Sequence, residues 1–345
     1  MSSIPEFDMG CHRFIDRTTI LYGESGTGKS CVITAVLHTL KPHIDQIIVI
    51  SPTDRQNHTY DKGIVPLPCI HYTMNSKLLE DLWERQSALA TVYTRANRIE
   101  IIKSLFNKLR IPQANSYISE INQKLESYKS EVYAEELDEI STKNKIDNME
   151  TEYNRLLLLC YKHFINKNKD KLRDQHLTND ENYTLRYLNL NPRLVVIFDD
   201  CTDLIKKNRS HPVMQKIFYQ GRWAFITALI ACHNDKALDS ELRKNAFINV
   251  FTSEKSARSY FKRGSNDFDK DEFKQAQAAI KCAFNPLMRF QKLIWVRMEN
   301  KFYKVTAEIH ENFKFGSPVI WEYCKQIQAE AGTISSDNKF MQDFD

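Results

Sequence analysis

The sequence predicts an α/β fold: a mostly parallel sheet flanked by helices, with a helical hairpin inserted midway and an antiparallel β-hairpin near the C-terminal end. Three observations predict it. A β-prone run, Arg17–Tyr22, leads into Gly-Glu-Ser-Gly-Thr-Gly-Lys-Ser at 23–30, and a stretch with helical apolar spacing (Val32, Val36, Leu40) follows. A second run, 193–198, is almost wholly apolar and ends in Asp199-Asp200; such runs mark strands buried on both faces. Between them, 76–184 holds no glycine and a single proline, Pro112, and is rich in Lys, Glu, Asn and Leu.

The first element is the most informative. Gly23–Ser30 fits G-x-x-x-x-G-K-[ST], the phosphate-binding loop, in the strand–loop–helix setting that motif requires. Glycines at 23, 26 and 28 let backbone N–H groups curl around an anion without Cβ clashes, and the helix N-terminus adds its positive dipole end. The candidate cradle is Gly23, Glu24, Ser25, Gly26, Thr27, Gly28, Lys29, Ser30 and Cys31. Lys29 reaches the β- and γ-phosphates and the Ser30 hydroxyl holds Mg²⁺. The plain alternative, a glycine-rich turn, accounts less well for the flanking strand and helix.

A strand at Ile44–Ile50 and a loop signal at Ser51-Pro52-Thr53 follow, then a short strand at Ile70–Tyr72. From 76 to 184 the periodicity turns helical. Ile118, Ile121, Leu125, Tyr128 and Val132 keep a 3-4 rhythm that Met149, Tyr153, Leu156 and Cys160 resume, the seam of a helical hairpin. Ser141–Asp147 is the expected turn between the arms. Glu131, Glu135, Glu136, Asp138 and Glu139 make the first arm acidic, a poor surface for nucleic acid. Asn144-Lys-Ile-Asp147 matches the guanine-reading N-K-x-D, but it precedes the acidic strand and lies in helical sequence, so chance explains it and ATP is favoured over GTP.

Asp199 and Asp200 end a strand, where ligands of open α/β sheets bind. Asp199 suits the Mg²⁺ shell beside Ser30, and Asp200 suits the orientation of an attacking water. Capping of the next helix by Asp200 or Thr202 is the alternative. Downstream come a helix through Val213–Tyr219, Gly221-Arg222, a strand at Ala224–Ala231, the polar end Cys232-His233-Asn234-Asp235, and a strand at Phe247–Phe251. A helix near 271–283 precedes two β-rich arms, Arg289–Met298 and Phe302–Ile309, around a three-residue turn.

Composition sets the class. Of 345 residues, 42% are hydrophobic and 27% charged, ordinary for a globular chain, and the net charge of +4 permits a polyanionic partner without requiring one. The eight cysteines are scattered with no Cys-x-x-Cys pair, which argues against a structural zinc site or redox motif. No signal peptide or apolar span is expected.

Taken together, the 23–30 loop, the strand leading to Ser51-Pro52-Thr53, the strand ending in Asp199-Asp200, Gly221-Arg222, Leu242–Asn245 before Phe247–Ser253, and Phe313-Lys-Phe-Gly316 resemble the HerA–FtsK-type P-loop ATPases. The resemblance is greatest to the genome-packaging ATPases of large double-stranded DNA viruses, the poxvirus-like group. It implies a RecA-like, ASCE-type core at 1–75 and 185–325; the coiled-coil-like insertion at 76–184 carries no family pattern, and the polar residues at 326–345 are expected to form a disordered tail. It further implies Mg²⁺-dependent ATP hydrolysis in a homo-oligomeric ring, a pentamer or hexamer, that drives double-stranded DNA into a preformed capsid. Lys29 and Ser30 then bind phosphate and Mg²⁺, Asp199 completes the metal site, and Asp200 activates water. Arg222 acts in trans as an arginine finger (surface capping of its own helix being the alternative), with Arg243 in reserve. The chain offers His233 and Asn234 where the family often has a glutamine sensor; Asn234 is the candidate replacement for its amide, and His233 is equally well an ordinary strand-end residue. Lys206, Lys207, Arg209, Lys262 and Arg263 are either pore-facing or solvated. Capsid-vertex or membrane proteins are the further partners, and the host cytoplasm (the viral factory) and the virion are the locations implied. The rivals are a cellular-type DNA translocase or helicase and a nucleotide-dependent assembly scaffold.

Overall fold

A computed structural model describes the chain except for residues 1–3, 136–137, 174, 267, 285–289 and 338–345. Glu136 of the acidic arm and Arg289 of the hairpin therefore lie outside the described residues. The chain forms two compact units, one of residues 1–90 with 191–345 and one of residues 91–190.

In the first unit, β1 (Thr18–Tyr22), α1 (Lys29–Leu40), β2 (Gln46–Ile50), α2 (Asp54–Asn57) and β3 (Ile70–His71) lead into α3 (Ser76–Ala96). The second unit holds α4 (Ile99–Lys108), α5 (Pro112–Ala134), α6 (Glu139–Lys167) and α7 (Asn179–Tyr187). The chain then completes the first unit with β4 (Leu194–Phe198), α8 (Thr202–Asn208), α9 (Pro212–Gln220), β5 (Ile226–Cys232), α10 (Ser240–Lys244) and β6 (Ile248–Phe251). Next come α11 (Glu254–Lys262), α12 (Lys270–Ala283), β7 (Gln291–Val296), β8 (Lys301–Thr306) and α13 (Pro318–Asp337).

Among the described residues, eight strands make one open sheet, ordered β3-β2-β4-β5-β1-β6-β7-β8. The first six in that order run parallel; β7 and β8 form the antiparallel hairpin at one edge. Period-2 alternation divides the apolar residues between two cores, one on each face. Ile20, Val196, Phe198 and Ile230 enter one; Leu21, Val195, Ile197 and Leu229 enter the other, with Val32, Val36 and Leu40 of α1. Burial on both faces is why these strands lack polar alternation.

The insertion differs from expectation in three ways. It does not begin at 76: Leu79 and Leu82 of α3 are buried in the core of the first unit, and Gln86 Nε2 donates to the carbonyls of Pro192 and Ala224. The expected turn at 141–147 is helix instead: α5 ends at Ala134 and α6 begins at Glu139, where the Asp138 side chain caps it by accepting from Ser141 N–H (2.9 Å). Finally, the buried seam of α6 is Leu157, Tyr161 and Ile165, with Tyr153 half-buried against it; Leu156 is exposed. The tail is also corrected, since α13 continues helical through 326–337. Its Ala, Glu and Gln residues favour helix, and its start is anchored where Trp321 Nε1 donates to Phe315 O (2.8 Å). Residues 338–345 lie outside the described chain.

Candidate nucleotide site

Parallel strands bring their C-terminal ends to one edge, and register sets which ends meet. Tyr22 pairs with Cys232 of β5 and with Phe251 of β6, while Phe198 pairs with Ile230 and with Ile50. The residues immediately after these strands, Gly23, Asp199, His233 and Thr252, therefore lie along one edge.

The loop after β1 is held on several sides. Gly23 N–H donates to Cys232 O (3.1 Å). A Cβ at Gly23 would lie 1.8 Å from Thr252 Oγ1, so only glycine admits that threonine. Thr252 Oγ1 in turn stands 2.6 Å from Thr27 Oγ1. Gly26 and Gly28 take φ of 74° and 89°, left-handed values that glycine adopts without penalty. Gly28 caps α1, so the first-turn N–H groups at Lys29, Ser30 and Cys31 face the loop. Glu24 at the rim pairs with Lys255 of α11 (2.5 Å).

Lys29 is buried, and its Nζ donates to the carbonyls of Gly23 (2.8 Å) and Glu24 (3.0 Å). Burial pushes its pKa down, opposed by the nearby carboxylates of Asp200 and Asp199. Asp199 is buried and accepts from Tyr60 OH (2.8 Å). Burial raises its pKa, the Tyr60 hydrogen bond counteracts this, and the neighbouring Asp200 adds to the rise. Tyr60 is itself positioned by Asp54, whose Oδ1 accepts from the N–H groups of Thr59 and Tyr60.

Asp200 has φ 54°, a conformation aspartate tolerates better than most residues. Two neighbouring strands hold its carboxylate: Thr53 Oγ1, beyond β2, donates to Oδ2 (3.1 Å), and His233 Nε2, beyond β5, lies 2.9 Å from Oδ1. It is thus His233, and not the sensor candidate Asn234, that reaches the acidic pair. Asn234 Oδ1 accepts instead from Lys236 N–H (3.0 Å) and caps a short turn.

Sequence reasoning missed Lys292. This β7 lysine is buried, its Nζ donates to Thr27 O (2.7 Å), and a Cβ at Gly28 would lie 3.2 Å from that nitrogen. A third cation, after Lys29 and Lys255, thus touches the loop, this one from the terminal hairpin. It also missed Tyr60 and the Asp200 contact of Thr53; only the 51–53 loop signal pointed that way.

The arginines separate. Arg243 is buried, with its guanidinium donating to the carbonyls of Asp235 and Leu238 and to Asn266 Oδ1 and Ser265 Oγ, so it is a structural brace and no longer a reserve finger. Arg222 is exposed and follows α9 at the N-terminal end of β5, the end opposite Cys232 and the loop. Seven residues of β5 at ~3.3 Å each put about 20 Å between those ends. Of the basic residues suggested for a pore, Arg263 pairs with Asp235, Arg209 with Asp239 and Lys206 with Asp203.

Beside the first turn of α1 lies a cavity of about 480 Å³, reached by Ser30, Cys31 and Thr34. Among the described residues no group of three or more His, Cys, Asp or Glu side chains could by itself hold a metal, and no helix is long and apolar enough to cross a membrane.

No family model matches the chain. Among solved structures, the genome packaging NTPase B204 of Sulfolobus turreted icosahedral virus 2 with ATP-gammaS aligns over 86% of this chain and 98% of its own, at 12% identity and a TM-score of 0.41. Plasmid coupling protein TrwB with a GTP analogue aligns over 92% of each chain at 13% identity and 0.37. At scores below one half, neither likeness bears on what this chain does. Sequence relatives are much nearer. Uncharacterized protein B354L of African swine fever virus is 32% identical in isolate Pig/Kenya/KEN-50/1950 and 33% identical in isolate Tick/Malawi/Lil 20-1/1983. Each match spans 99% of this chain and 96% of the relative. The chain belongs to the B354L family of African swine fever virus.

Proposed function

We propose that the protein is an ATPase whose hydrolysis drives double-stranded viral DNA into a preformed capsid. One observation carries the nucleotide part: a phosphate-binding loop, its buried lysine and a pair of carboxylates from a strand some 170 residues later share one sheet edge. The loop N–H groups and the α1 N-terminus bind the phosphates, and Lys29 exchanges its two carbonyl partners for phosphate oxygens. Ser30 and Asp199 offer hydroxyl and carboxylate oxygen, the donor type that Mg²⁺ prefers alongside water and phosphate. The tie from Tyr60 to Asp199 Oδ2 orients that carboxylate. Bound Mg²⁺ neutralises charge on the transferred phosphoryl group.

Asp200 orients the attacking water, aimed by Thr53 and His233. Arg222 serves a neighbouring copy's site, and a homo-oligomeric ring assembles around the DNA. The resemblance to packaging ATPases and membership of a viral family support the capsid role. The test is ATP turnover by the purified full-length chain with and without duplex DNA. Turnover abolished in Lys29→Ala and stimulated severalfold by duplex DNA supports a motor. DNA-insensitive turnover favours the assembly scaffold, whose hydrolysis acts as a timer.

A further inference from the structure

We propose that the cavity beside the first turn of α1 receives the base and ribose of the nucleotide, a reading that rests on assigning the phosphates to the 23–30 loop. Position is the first argument. The phosphate cradle ends at Ser30 and Cys31, and both residues line the cavity together with Thr34, one helical turn on. A nucleotide seated with its phosphates on the loop leaves that cradle where the cavity opens.

Size and chemistry are the second. About 480 Å³ lies within the ~300–1,000 Å³ of small-molecule sites. Ile64 and Ile309 give apolar contact area, and the amides of Asn57 and Asn312 can each both donate to and accept from a base edge. His310 supplies an aromatic ring. That ring stacks on His38 of α1, with centroids 4.1 Å apart and planes at 2°. His310 also lines a second cavity on the His38 side, and His38 does not line the first. The stacked pair is thus a wall that presents His310 to the proposed base.

The third argument is preformation. The outer wall, 309–312, follows β8 and is fixed downstream by Phe315, which is fully buried and whose N–H donates to Ile64 O (2.8 Å). The opposite wall, 57–64, carries Tyr60, bonded to Asp199. Both walls are therefore tied to the core before any ligand arrives, which lowers the ordering cost of binding.

The experiment compares ATP with inorganic triphosphate, both with Mg²⁺, by equilibrium binding to the full-length chain and to Thr59→Trp, Asn312→Ala and Lys29→Ala. Thr59 is half-buried at the cavity and Asn312 is exposed, so neither change disturbs the core. Thr59→Trp, which fills the space, is expected to weaken ATP about tenfold or more, and Asn312→Ala severalfold, with triphosphate changed less than about twofold. Lys29→Ala should weaken both ligands. Photolabelling with 8-azido-ATP should mark 57–64 or 309–312. Unchanged ATP binding in both cavity variants, equal losses of both ligands, or labelling elsewhere overturns the proposal. If the unaltered protein binds neither ligand, the phosphate-loop assignment fails and this inference fails with it.

Discussion

Two side chains make the sharpest residue-level predictions. Asp200 occupies a left-handed conformation that asparagine also tolerates, so Asp200→Asn removes charge without disturbing the backbone. It is expected to leave ATP binding within about twofold and to slow turnover by about 10²-fold or more, the scale of a lost general base. Thr53→Val removes one of its two supports and should lower kcat severalfold with little change in KM; a rise in KM alone would place Thr53 in ground-state binding. Lys292 has a different signature. A buried ammonium donating to Thr27 O stabilises the loop and adds positive potential beneath the phosphates. Lys292→Met should therefore weaken ATP more than ADP and ADP more than AMP, the first by about tenfold, with partial rescue by Lys292→Arg. A uniform loss across the three nucleotides would mean that the lysine merely props the fold. The sequence made Lys29 legible because a local motif encloses it. Lys292 donates across 265 residues, and nothing in Gln291–Val296 as a string separates it from any strand lysine.

At the scale of elements, the second unit holds a titratable joint. Glu181 caps its own helix N-terminus by a reciprocal box with Thr178 and also accepts from Ser104 Oγ (2.8 Å) and Lys108 Nζ (2.6 Å) of α4. Burial alone would push this carboxyl up, but bonds from Lys108, Thr178 N–H and Ser104 outweigh it and hold the pKa at about 2, against 4.5 ordinarily. A depressed carboxylate contributes stability that is complete above about 4.5 and is lost as pH falls towards 2. Wild type should thus exceed Glu181→Gln by on the order of 2 kcal/mol near neutrality. The gap should shrink over that acid window, as followed by urea denaturation and far-UV circular dichroism. A gap independent of pH would assign the effect to packing. The same unit shows where sequence legibility ended. Its helical character and apolar seam were plain, yet at 3.6 residues per turn a seam can drift by one position, and it did, from Leu156 to Leu157. The turn was misplaced because polar 141–147 reads as loop, whereas the Asp138 cap makes it the first exposed turns of α6. The parallel strands posed no such ambiguity, since burial on both faces leaves unbroken apolar runs.

For the molecule as a whole, the decisive geometry is the length of β5. Its C-terminal end delivers His233 to Asp200, and its N-terminal end delivers Arg222 some ~20 Å away. Arg222 therefore cannot reach the phosphates of its own chain without dismantling the sheet, and any catalytic part it plays is in a second copy. Its surroundings suit such a contact. Trp223 beside it is 79% exposed, and an exposed tryptophan next to an arginine is the composition of an interface anchor. Gly221, still in helical conformation after α9, admits a close approach to Ile217 O, from which a Cβ would lie only 2.3 Å away. Complementation tests this directly. Arg222→Ala keeps its phosphate loop but lacks the finger, and Lys29→Ala keeps the finger but lacks a working loop. Each alone should hydrolyse ATP at least about 10³-fold more slowly than wild type, as expected when an arginine finger or the phosphate-loop lysine is lost. Mixed, they create junctions that pair an intact loop with an intact neighbouring Arg222, and turnover should return to a substantial fraction of wild type, rising with protein concentration as assembly proceeds. Trp223→Ala in the Arg222→Ala partner should weaken that recovery by raising the concentration at which it appears, leaving its plateau unchanged. A mixture no more active than its parts would remove Arg222 from catalysis, and with it the reason for this chain to work as a ring.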